Sequence, residues 1–138
     1  MSEKDEVFEI MGRDNYAGLT GLKVVTARPG YAEVSLPVTE KIMNGHGNVH
    51  GGAIFTLADY AAALASNMFG EPTMATGGSI SYLRAVRDGY LLAKATTVKA
   101  GRRMKFQVVD IYDAEEELVA TFQGGAINVF RNNGGPAS

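Results

Sequence analysis

The run Met43-Asn44-Gly45-His46-Gly47-Asn48-Val49-His50-Gly51-Gly52, followed without a break by Ala53-Ile54-Phe55-Thr56-Leu57-Ala58-Asp59-Tyr60-Ala61-Ala62-Ala63-Leu64-Ala65-Ser66-Asn67-Met68-Phe69, is where the chain changes character. Its first ten residues hold four glycines and both histidines of the protein. That glycine density describes a loop that bends sharply or approaches something closely, not an ordinary helix or strand. From Ala53 to Phe69 strong helix formers take over. At about 100° per residue, Thr56, Asp59, Tyr60, Ala63, Ser66 and Asn67 fall on one narrow stripe. The rest of the circumference is apolar or small, so the sequence predicts a long helix buried on most sides. Gly70-Glu71-Pro72 stops it.

Both flanks are β in character. Leu22 to Thr26 is one strand, and Arg28-Pro29-Gly30 is a turn signal. Ala32, Val34, Leu36 and Val38 then alternate with Tyr31, Glu33, Ser35 and Pro37, the period of a half-buried strand. Together these predict a hairpin. After Pro72, strands are expected at Ser79–Leu83, Tyr90–Lys99, Met104–Ile111 and Glu117–Phe130, with a bulge at Gly124-Gly125. Upstream, Glu3 to Arg13 has helical spacing, broken by Gly18 to Gly21. One buried helix against one curved antiparallel sheet is an α+β fold, and with no linker or internal repeat the expectation is a single domain over residues 1–138.

Composition narrows the function. The 138 residues include no cysteine, which removes thiol nucleophiles, disulfides and cysteine-based metal sites. A net charge of −2 offers no basic field for a nucleic-acid backbone. No apolar segment is long enough to span a membrane, because the longest weakly polar run, near 51–70, contains Asp59. No signal peptide precedes residue 8, so the cytoplasm is the default expectation. His46 and His50 stand at i and i+4, but the surrounding glycines argue against the helix a metal pair would need, and no metal is expected. Neither G-x-S-x-G, Walker A nor a complete dinucleotide fingerprint occurs.

What is left is a helix N-terminus with a carboxylate two turns inside it. Gly51 and Gly52 have no side chain to screen the unpaired N–H groups at the positive end of the helix, so a polarised carbonyl or oxyanion could approach them. Asp59 is the only acid between Glu40 and Glu71. Phe55, Leu57, Ala58 and Ala62 around it suggest partial burial, which raises a carboxylate pKa. Taken alone, Asp59 reads more readily as part of a solvated helix face, and the glycine loop ahead of it is what turns the balance.

Asn44 to Asp59 resembles the signature of hotdog-fold acyl-CoA thioesterases of the PaaI type, and the likeness extends from about Leu22 to Phe130. It implies a long central helix wrapped by a curved antiparallel sheet, with two subunits paired edge to edge, composite active sites at their interface, and dimers usually paired into tetramers. It implies that Asp59 is the catalytic carboxylate, as nucleophile or as general base. The Gly51 N–H would polarise the thioester carbonyl, Asn44 would act from across the interface, and His50 would shape the loop. Gly52, Thr76, Tyr82, Arg84, Arg102 and Arg103 would contact the substrate and its CoA portion, the arginines suiting phosphate. Apolar residues near Met43, Phe55, Tyr60 and Met68 would line the acyl pocket. CoA is part of the substrate, and no separate cofactor is implied. The chain departs from the pattern at Ala75, where relatives place a water-orienting serine or threonine; Thr76 is the neighbouring candidate. The implied activity is hydrolysis of an aryl or medium- to long-chain acyl-CoA. A non-catalytic acyl-CoA-binding hotdog protein is the alternative, and an acyl-thioester hydratase is disfavoured by the missing His-Phe-Pro pattern.

Overall fold

The structure is a computed structural model that describes residues 9, 11–129, 131–132 and 135–136. Most of the helix expected over Glu3–Arg13 lies outside the described residues, although Glu9, Met11 and Gly12 are helical. Helix α1, Asn15–Thr20, was not anticipated. It is capped by Asp14, whose side chain accepts from the Ala17 N–H, and it runs through Gly18 to end at Gly21, which has φ 91°. Gly21 is thus the stop, since glycine adopts the left-handed conformation at little cost.

Strands β1 (Lys23–Arg28) and β2 (Tyr31–Pro37) form the expected hairpin, turning at Gly30 with φ 82°. The alternation holds, with Ala32, Val34 and Leu36 fully buried. A 3-10 turn at Glu40–Ile42 leads into the glycine loop, pinned by a Met43–Val49 bridge. Helix α2 spans Gly51–Asn67, so Gly51 and Gly52 belong to its first turn, not to the loop. The helix buries Leu57 and Leu64 completely, and each such side chain contributes roughly 1.5–3 kcal/mol. Two residues of the expected polar stripe are also buried: Tyr60 donates to the Met11 carbonyl (3.3 Å) and Ser66 shares a 2.8 Å hydrogen bond with Thr73. Their polar atoms are satisfied, so burial costs little.

Four antiparallel strands follow: β3 (Thr73–Tyr82), β4 (Tyr90–Ala100), β5 (Met104–Tyr112) and β6 (Leu118–Asn128). The sheet order is β1-β2-β4-β5-β6-β3, with α2 lying across one face. This is the α+β hotdog arrangement that the sequence likeness implied. Strand β3 begins six residues before the expected Ser79 and forms a long, open sheet edge. The bulge expected at Gly124-Gly125 lies on β3 instead, between Ala75 and Gly77. Gly78 and Gly124 pair regularly and leave a hollow for the Phe122 ring. In β5 the faces are set by partners, not by apolarity: Lys105 and Gln107 point inward with Val109 and Ile111, while Met104 and Phe106 are exposed.

Candidate active site

The glycine loop holds its shape through Asn44. The Asn44 Oδ1 accepts from the His46 N–H (2.9 Å) and the Asn48 N–H (3.1 Å), and its backbone N–H donates to the Asn48 carbonyl (2.7 Å). Arg87 Nε adds a bond to Asn48 Oδ1 (3.1 Å). His50 caps α2: its Nδ1 accepts from the Gly52 N–H at 2.8 Å. That bond places the ring's available proton on Nε2 and gives His50 a structural task. The Gly51 N–H has no acceptor among the described residues. It points out of the first turn at the positive end of a helix of 17 residues.

Two open grooves meet at Tyr82. One, of about 420 Å³, is lined by Asn44, Gly51, Tyr82 and Arg84 among others. The other, of about 500 Å³, is lined by Asp14, Tyr16, Phe55, Asp59, Tyr60 and Tyr82, with Gly52 at its rim. Tyr82 stands between them because its hydroxyl donates to the Gly51 carbonyl (2.9 Å). A Cβ on residue 51 would come within 3.1 Å of that ring, so glycine is what allows the close approach.

Asp59 is exposed on the single chain's surface, yet its carboxyl pKa is pushed above the ordinary 3.8. The first cause is desolvation by the surrounding protein, and the second is the Asp14 carboxylate across the groove. The two observations agree if the carboxyl opens to solvent on one side only. Partial desolvation is what a carboxylate needs to act as a base near neutral pH.

Other expected residues are placed differently. Phe55 and Tyr60 line the Asp59 groove, whereas Met68 is core and Met43 pairs with Val49. Thr76, in the bulge, has its Oγ1 3.3 Å from where a Cβ on Gly125 would sit, on the sheet face away from α2. It does not line the Asp59 cavity, whereas Ala75 and Gly77 do. The cations do not form one cluster. Arg84, beside the head of α2, pairs with Asp113 (3.3 Å) and remains half exposed. Arg102 and Arg103 lie on the β4–β5 turn near the other end of the helix, where their carbonyls accept from Asn128. Lys105 is 3% exposed, bonded to Asn128 Oδ1 (2.9 Å) and set over the Phe69 ring. Burial lowers its pKa, with Glu71 opposing.

Comparison with known proteins adds a family. The model of the thioesterase superfamily matches residues 46–120. A putative esterase of Deinococcus radiodurans is 38% identical over 80% of this chain and 76% of its own length. The acyl-coenzyme A thioesterase PaaI of Escherichia coli is 32% identical over 80% of each chain. The solved structure of a hypothetical thioesterase from Streptococcus pneumoniae with coenzyme A superimposes with a TM-score of 0.84 at 26% identity, covering 91% of this chain and 99% of that one.

Proposed function

This chain belongs to the thioesterase superfamily as a PaaI-type hotdog thioester hydrolase, and we propose that it cleaves an acyl-CoA to the free acid and CoA-SH at a site built by two copies of the chain. The observation that carries the reading is the disposition of two groups on one helix. Gly51 offers an N–H without an acceptor among the described residues at the head of α2, and Asp59 offers a partly desolvated carboxylate two turns on. Eight residues of helix rise about 12 Å, and at 100° per residue the two groups are also turned about 80° apart around the axis. They line different grooves, with Tyr82 between. One thioester carbon cannot meet both groups of the same chain. In this reading Asp59 of one copy acts with Gly51 and Asn44 of another, so that no single chain has to span that separation.

The open β3 edge supports such a pairing, because a second copy would satisfy its free backbone groups. Two such dimers could then assemble as a tetramer. Asp59 would act as base or nucleophile, and the Gly51 N–H would hold the charge that develops on the carbonyl oxygen. The rings of Tyr16, Phe55, Tyr60 and Tyr82 favour an aryl or other apolar acyl group. Arg84, beside the Gly51 groove, is the best-placed cation for a CoA phosphate. No helix among the described residues is long and apolar enough to cross a membrane.

The test is thiol release from phenylacetyl-, hydroxybenzoyl- and medium-chain acyl-CoA by the wild type and Asp59→Asn. Turnover reduced at least about 100-fold in the variant, with ester binding retained, supports the reading. Tight binding of an ester without turnover by the wild type would make the protein a binder and overturn it.

A further inference from the structure

Behind Asp59, between α2 and the strands β3, β6 and β5, lies a cavity of about 20 Å³. A space of this kind holds one water. Much of its wall is small: Ala62, Ala63, Gly77, Gly124 and Ala126. The residues with polar side chains along it are Asp59, Thr73 and Gln107. The Thr73 hydroxyl is engaged with Ser66. Gln107, on β5, is only 2% exposed. Its Nε2 donates to Thr97 Oγ1 on β4 at 3.2 Å, which turns the nitrogen end of the amide toward β4 and fixes the orientation of the group. The Oε1 has no hydrogen-bond partner among the described residues, yet no side-chain oxygen or nitrogen there is both sealed from solvent and unpartnered. Gln107 lines the cavity it shares with Asp59, and the Oε1 is the end of its amide with an acceptor to spare.

We propose that Gln107 orients the hydrolytic water against Asp59, doing from the centre of the sheet what Thr76, on the far face of β3, is not placed to do. The role rests on the thioesterase reading above. A water in this cavity donates one hydrogen to the Asp59 carboxylate and the other to Gln107 Oε1, and its lone pair is then aimed by two fixed acceptors. Asp59 takes the first proton as the water oxygen bonds to the thioester carbon. The carbonyl π electrons move to oxygen, held by the Gly51 N–H of the other copy. Collapse of that oxyanion breaks the C–S bond, and the leaving sulfur takes its proton from the Asp59 carboxylic acid. The products are the free acid and CoA-SH, and Asp59 is ionised again.

The experiment measures turnover and product partition in the full chain with an accepted acyl-CoA, with and without hydroxylamine. Hydroxylamine is a stronger nucleophile than water and does not rely on Gln107 to aim its lone pair. In Gln107→Leu, kcat for hydrolysis should fall about 10- to 100-fold with KM nearly unchanged, a typical loss for one positioned group. The ratio of hydroxamate to acid, above the uncatalysed background, should rise by a similar factor. Thr97→Val keeps Gln107 but frees its amide to rotate, and should shift both readouts the same way by less; it also serves if the leucine variant does not fold. An unchanged ratio, whether kcat is retained or both products fall together, would make Gln107 a structural residue and overturn the proposal. No turnover of any CoA ester by the wild type would instead overturn the reading on which the proposal rests.

Discussion

Replacing Gly78 by alanine probes how the sheet carries the wall of the Asp59 groove. A Cβ at position 78 would stand 2.4 Å from Phe122 Cζ and 2.5 Å from Cε2. Carbon atoms are at their optimum near 3.5–4.0 Å, so about 1 Å must be found. The Phe122 ring is 3% exposed and meets Phe55 edge-on, with centroids 5.6 Å apart at 81°. The ring therefore cannot retreat without moving Phe55, which lines the groove. Overpacking of this kind costs about 1–3 kcal/mol, partly offset by the roughly 0.5–1 kcal/mol that alanine gains over glycine in a strand. The expected net loss is about 1–2 kcal/mol. Urea unfolding at one fixed chain concentration would measure it, and a double-mutant cycle with Phe122→Leu isolates the cause. If the ring is what the methyl meets, the double variant should be more stable than the sum of the single effects by about 1 kcal/mol or more. Additive losses would refute the reasoning, because they would place the cost of Gly78→Ala somewhere other than Phe122.

Asp14→Asn keeps the cap of α1, since asparagine caps as well as aspartate. It removes one of the two causes of the raised Asp59 pKa, so the acid limb of kcat/KM should move to lower pH; a stationary limb would contradict the Asp14–Asp59 coupling. Asp59 binds its proton more tightly folded than unfolded, so its contribution to stability falls as pH rises from 3.8 through the folded value. Asp59→Asn should accordingly be more stable than the wild type at pH 7, with the gap closing below 3.8, as checked by denaturation at both pH values. His50→Ala should lose about 1 kcal/mol with the cap on Gly52. His50→Asn should recover that stability and most of the activity, an outcome that a catalytic base at His50 would not permit.

The local order of the chain was legible because it is written in local chemistry. The period-two run of β2, the turn at Gly30 and the alanine-rich helix each follow from residues within a few positions of one another. Where the reading missed, long-range partners decided. Nothing near Ser66 or Tyr60 announces the Thr73 hydroxyl and the Met11 carbonyl that let them be buried. Lys105 sits inside because Asn128, 23 residues away, accepts its hydrogen bond and Phe69 lies beneath its ammonium. The glycine pair at 124–125 carried a true signal of irregularity, but its meaning was a hollow for Phe122, with the register shift on the neighbouring strand. For the proposed site, Gly51, His50 and Asp59 were marked in the sequence by the meeting of a glycine loop and a helix start. Gln107 was not, because a glutamine in an alternating strand carries no mark of the cavity it faces. Asp14 was missed because α1 reaches Asp59 only through the fold.

Subunit complementation tests the shared site most directly. Asp59→Asn and Asn44→Ala chains, each nearly inactive alone, would be co-expressed with different tags, and the mixed assemblies isolated and assayed for thiol release. If one chain supplies Asp59 and the other supplies Asn44 and Gly51, each mixed dimer regains one intact site of two, and an unsorted equal mixture recovers about one quarter of wild-type activity. Mixed dimers no more active than their parents would contradict the account, because each site would then lie within a single chain.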